Sequence, residues 1–148
     1  MAAKKQLTAA QGMDAACILF ELNSKREHIV NLAFGAEIPE ACLTEPGALP
    51  DFCAEWRAFV HATVTAGLMQ HAPNSVLVGY LRRTGELLAA TAVDLLLSPQ
   101  AGVTSRRLLD VYCGAGAPGL LAAGHFGEVL GMEYDRRAVL LAERNARR

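Results

Sequence analysis

Nothing in this 148-residue sequence has the spacing of a metal site, a disulfide framework or a membrane anchor. The four cysteines, Cys17, Cys42, Cys53 and Cys113, lie far apart and form no Cys-x-x-Cys pair. Metal and disulfide roles are therefore not expected, and reduced thiols in this pattern fit a cytoplasmic protein. His28, His61, His71 and His125 are equally scattered and read as surface or capping residues. No apolar run approaches the ~20 residues of a membrane span, since Thr91 and Asp94 interrupt Leu87 to Leu97. Lys4 and Lys5 precede no apolar core with a cleavage site, so a secretory signal is not expected. Internal repeats and low-complexity tracts are absent as well.

The chain also lacks a strong charge of either sign. The formal net of −1 gives no general reason to expect a nucleic-acid partner. Its distribution is less even. Residues 1–100 carry seven Lys and Arg against ten Asp and Glu, whereas residues 101–148 carry seven against five. The pairs Arg106-Arg107, Arg136-Arg137 and Arg147-Arg148 fall in that second part, where they read as solvated element ends or as contacts to RNA phosphates. With 52% hydrophobic and 20% charged residues, the composition is that of a folded chain.

The chemistry lies between Arg107 and Asn145. Arg107 to Tyr112 is an apolar run of strand length, and Gly114, Gly116 and Gly119 follow at once. Such glycines let a backbone turn tightly and approach a ligand. Pro118 suits the first turn of a helix running from Ala117 to about His125, its N-terminal amides directed at the glycine loop. Glu128 to Met132 reads as a second buried strand. Asp135 then reads as the N-cap of a helix from Arg136 to Arg147. Strand, glycine loop, helix, strand, acidic residue and helix make half of a doubly wound nucleotide-binding unit, with Glu133 placed to accept hydrogen bonds from a ribose. Asp110, just before the turn, would repel a pyrophosphate and would suit a ligand with an ammonium group. S-adenosylmethionine therefore fits the motif better than NAD or FAD.

Asp110-Val-Tyr-Cys-Gly-Ala-Gly, Val129-Leu-Gly-Met-Glu-Tyr-Asp-Arg-Arg-Ala-Val and the later Asn145-Ala146 resemble the Rossmann-like S-adenosylmethionine-dependent methyltransferases. Within them they look most like the RNA uracil-C5 methyltransferases. The resemblance covers residues 106–147 and implies an α/β fold in which Asp110, Gly114 and Gly116 line the methionine end of the cofactor, Glu133 holds its ribose and Tyr112 is a further cofactor-binding residue. In that family the nucleophilic cysteine and general base lie downstream of this loop. The resemblance therefore leaves the catalytic residues unassigned, and Cys113 reads as a small buried residue beside the loop. A complete doubly wound sheet needs further strands after the second helix, so the length suggests the N-terminal part of a cofactor domain. The open sheet edge would otherwise invite self-association or another protein partner.

Residues before 100 read as helical. Thr8-Ala-Ala-Gln11 has the form of a capping box, and Ile18, Leu22, Lys25, Ile29 and Leu32 follow helical steps, which predicts one helix over 9–34. The rival is a hairpin turning at Asn23-Ser24-Lys25-Arg26. Prolines and glycines across 35–50 mark a linker. A helix from near Asp51 to Gln70 carries Phe52, Trp56, Phe59, Val60, Val64 and Leu68 on one face, and Trp56 reads as core. A further helix over 76–97 is weakened by Gly79 and Gly85, which could split it.

The expected organisation is a helical module with its linker over 1–50, helices packing on the cofactor unit over 51–105, and an incomplete Rossmann-like β-α-β-α unit over 106–148. The expected function is the S-adenosylmethionine-binding part of a methyltransferase acting on RNA. The alternative is a non-catalytic helical interaction or regulatory protein with a vestigial nucleotide-binding scaffold.

Overall fold

A computed structural model describes residues 7–35, 44 and 47–147. Most of the expected linker, with Pro39, Cys42 and Pro46, lies outside the described residues. The described chain is mostly helical with one small parallel sheet, and it divides into two compact units, 1–84 and 85–148. Among the described residues no helix is long and apolar enough to cross a membrane.

The first unit contains α1 (Ala9–Ser24), α2 (Arg26–Gly35), α3 (Ala48–His71) and the beginning of α4 (Asn74–Leu97). Gln11 closes the start of α1 by accepting the Thr8 N–H at 2.7 Å. The single helix expected over 9–34 is broken at Lys25, whose φ of −87° and ψ of 121° are extended. The cause lies in the two polar residues before it. Asn23 Nδ2 donates to the Leu19 carbonyl at 2.7 Å and Ser24 Oγ to the Glu21 carbonyl at 2.9 Å, so side chains take acceptors at the end of α1. The chain thus turns where the hairpin rival turned, but joins helices instead of strands.

Helix α3 begins at Ala48, three residues before the expected start, because Pro50 is accommodated in the first turn, where its missing donor does no harm. Helix α4 is continuous through Gly79 and Gly85. Gly79 has a packing role: a Cβ there would overlap the Ala9 carbonyl. Gly12 on α1 is the counterpart, for its Cβ would overlap the Val76 carbonyl and lie 2.8 Å from the Tyr80 nitrogen. The two backbones touch because both positions lack side chains. In this unit Ala16, Ile29, Cys53, Val76 and Tyr80 are buried.

Polar bonds tie α3 to the end of α1. Trp56 Nε1 donates to Asn23 Oδ1 at 2.9 Å, and Arg57 Nε donates to the Asn23 carbonyl at 2.8 Å. A guanidinium at these terminal carbonyls also complements the negative end of the α1 dipole. The end of α1 is thereby bonded to α3. Trp56 stacks with Phe52 at 6.3 Å between ring centroids and is partly buried, as a core residue would be.

The second unit holds the rest of α4, then β1 (Arg107–Val111), α5 (Ala117–Ala122), β2 (Glu128–Met132) and α6 (Arg136–Ala146). The strands are parallel, pairing Arg107 with Glu128 and Val111 with Met132. At the first of these pairs Arg107 Nε meets Glu128 Oε2 at 2.7 Å in an exposed ion pair, a type worth up to about 1 kcal/mol. Asp135 caps α6 as expected, accepting the Arg137 N–H at 2.8 Å. Leu109, Val111, Leu130 and Met132 share the sheet face away from α5 and are all more than half exposed.

Candidate cofactor site

The glycine loop leaves the end of β1 through two left-handed turns. Tyr112 (φ 60°) begins the first, an unusual conformation for a residue with a side chain, and leaves its ring 76% exposed. Gly114 (φ 54°) and Gly116 (φ 84°) complete the path. Gly116 is the N-cap of α5: its N–H donates to the Cys113 carbonyl at 2.8 Å and its carbonyl accepts the Leu120 N–H at 2.9 Å. Only glycine takes this φ without strain, and Ala142 of α6 lies 3.4 Å from where a Cβ would stand.

Two carboxylates brace the loop from within. Asp110 Oδ2 accepts the Gly119 N–H at 2.9 Å. The approach is close: a Cβ on Gly119 would stand 3.0 Å from that oxygen and 3.2 Å from Val129 Cγ1, so these side chains would have to give by a few tenths of an ångström. One amide that the sequence directed toward a ligand is thus turned onto Asp110 instead. Glu133 accepts three backbone N–H groups: Gly114 at 3.0 Å on Oε2, and Tyr134 at 2.8 Å and Asp135 at 2.9 Å on Oε1. A carboxylate has about four acceptor positions, so about one is left for a ligand hydroxyl. The Asp135 and then the Gly114 N–H hold the Glu133 carboxyl below the usual carboxylate range, against a smaller opposing effect of burial.

Helix α6 secures the loop from the other side, where Asn145 Nδ2 donates to the Ala115 carbonyl at 3.1 Å. Asn145 was visible in the motif without a role. Cys113 is buried with its sulfur against Gly131. Burial pushes its thiol pKa up, and the charges of Asp110 and Glu133 raise it further, so the thiol stays protonated and is a poor nucleophile. That chemistry agrees with a packing role. A glycine inside the short strand β2 was the available signal for this close approach.

Asp110, Gly116 and Glu133 line one cleft of about 570 Å³, whereas Tyr112 and Gly114 are not part of its wall. Phe126, Val129, Val139 and Ala142 supply the apolar lining. The charged lining is one-sided: Asp110, Glu128, Glu133 and Glu143 are present, and no lysine or arginine is. The volume is in the range of small-molecule sites, roughly 300–1,000 Å³. Among the described residues no group of three or more His, Cys, Asp or Glu could hold a metal ion. Cys17, Cys53 and Cys113 are free thiols.

Compared with known proteins, the chain matches no family model, no curated protein and no solved structure.

Proposed function

We propose that the second unit is a Rossmann-like binding unit for S-adenosylmethionine, and that the protein takes part in methyl transfer to RNA. The observation that carries this reading is the acidic cleft beside a glycine loop. Asp110, Glu128, Glu133 and Glu143 line it with no basic side chain. Of these, Asp110 and Glu133 have no cationic side chain within 4 Å among the described residues, whereas Glu128 is paired with Arg107 and Glu143 lies 3.9 Å from Arg147. A pyrophosphate would be repelled there, whereas a ligand with a sulfonium and an ammonium group would be attracted. This separates S-adenosylmethionine from NAD and FAD more firmly than glycine spacing does.

In this scheme Asp110 attracts the ammonium group while its other oxygen holds Gly119, and Glu133 offers its remaining acceptor position to the ribose. Gly114 and Gly116 keep the backbone path clear for the methionine end. Tyr112, exposed at the C-terminal end of β1, stands at the rim. The unit's contribution to catalysis is to hold the methyl carbon in line with an attacking atom.

An amide-resolved NMR titration with S-adenosylmethionine, S-adenosylhomocysteine and NAD tests the reading. Gly114, Gly116 and Gly119 should shift saturably with S-adenosylmethionine, and more weakly with S-adenosylhomocysteine, which lacks the sulfonium charge. Tighter binding of NAD at the same amides would contradict it.

A further inference from the structure

Helix α6 has one face that the cofactor reading does not use. Val139, Ala142 and Ala146 line the cleft, and Asn145 holds the glycine loop. At 3.6 residues per turn, Arg136, Arg137, Arg144 and Arg147 fall within about 100° of one another, on the opposite side of the helix. All four are exposed. Among the described residues the only carboxylate near any of these guanidinium groups is Glu143, 3.9 Å from Arg147. The neighbouring acids are already engaged, Asp135 by the Arg137 backbone N–H and Glu133 by three loop amides. The stripe therefore keeps its charge for something outside the unit.

We infer that the arginine stripe of α6 is the surface on which single-stranded RNA lies, its phosphates paired with Arg136, Arg137, Arg144 and Arg147. This inference rests on the reading of RNA as the methyl acceptor. The four arginines extend over about 16 Å of helix axis, which calls for a partner whose negative charge repeats along its length. A guanidinium offers a planar fork of donors that matches phosphate oxygens. Leu140 lies exposed among these arginines, so an anionic lipid surface is the rival occupant that the test separates from RNA.

The test is fluorescence anisotropy of a labelled single-stranded RNA oligonucleotide with the full chain, over a series of salt concentrations. Arg137→Gln/Arg144→Gln is compared with Lys25→Gln/Arg26→Gln, which removes the same charge from the first unit. At low salt the stripe variant should bind about tenfold more weakly, and its salt-dependence slope should fall by about 1.4, at ~0.7 per phosphate contact. The control should stay within about twofold of the wild type. Equal loss in both variants would overturn the inference, as would a folded wild-type protein that binds phosphatidylserine vesicles and not RNA. S-adenosylmethionine affinity is measured in parallel and should be unchanged in the stripe variant. RNA binding through the stripe without S-adenosylmethionine binding would leave the surface standing and remove the cofactor reading. The reverse pattern would do the opposite.

Discussion

In residues 1–84 polar side chains join one helix to another. Trp56 and Arg57 reach from α3 to Asn23, while α1 and α4 meet backbone to backbone at Gly12 and Gly79. In residues 85–148 the polar side chains hold a loop. Glu133 and Asn145 each bond a backbone group of the segment that joins β1 to α5, and Asp110 bonds the Gly119 N–H in the first turn of α5. The first arrangement fixes helices against each other. The second leaves an acidic cavity walled by glycine and small apolar residues. The cofactor proposal rests on the unit whose polar groups are organised around a loop.

The sharpest way to break this contrast is at the helix crossing. Gly79→Leu should destabilise the first unit by at least about 3 kcal/mol, because the obstacle is the Ala9 backbone, not a movable side chain. Urea unfolding followed by circular dichroism would measure it, and an unchanged midpoint would show that the backbones do not touch. Gly116→Val should destabilise the second unit by about 2 kcal/mol through its left-handed φ and the nearby Ala142. Its effect should appear in hydrogen exchange of α5 and the loop, with α1 and α3 unchanged. Trp56→Phe removes one part-buried hydrogen bond and should cost the first unit about 1 kcal/mol by urea unfolding.

These positions also show what could be read from sequence. The β-α-β order, the Asp135 cap and the strand ends were visible because apolar periodicity and glycine position change together between Arg107 and Asn145. The break at Lys25 was missed because a helical period continues across it, while Asn23 and Ser24 act through hydrogen bonds that no period records. Gly79 looked like a weak point in a helix. It is a point of contact, and only the position of α1 reveals that. Residue types singled out Asp110 and Glu133 as candidates, but the backbone N–H groups they hold depend on the path of the folded loop.

Two smaller effects sharpen the description of the loop. Glu133 has a lowered carboxyl pKa, so the stability it lends is full above the ordinary range near 4.3 and is lost as pH falls through the lowered folded-state value. The Gly114 and Asp135 amide resonances should titrate with a midpoint below about 4.3, and a midpoint above it would mean that the three bonds do not persist. Cys113, in a background with the other cysteines replaced by serine, should react with a thiol reagent at pH 8 more slowly than a free thiol of pKa about 8.5. Asp110→Asn should speed that reaction.

The central claim is that the acidic cleft binds S-adenosylmethionine. Calorimetric titration of the 148-residue chain, with Glu133→Ala alongside, tests it most directly. The account expects saturable one-to-one binding by the wild type and at least about tenfold weaker binding by the variant, whose loop has lost both its clamp and its ribose acceptor. A folded wild-type protein that gives no binding heat and no amide shift, or a variant that binds as tightly as the wild type, would contradict it.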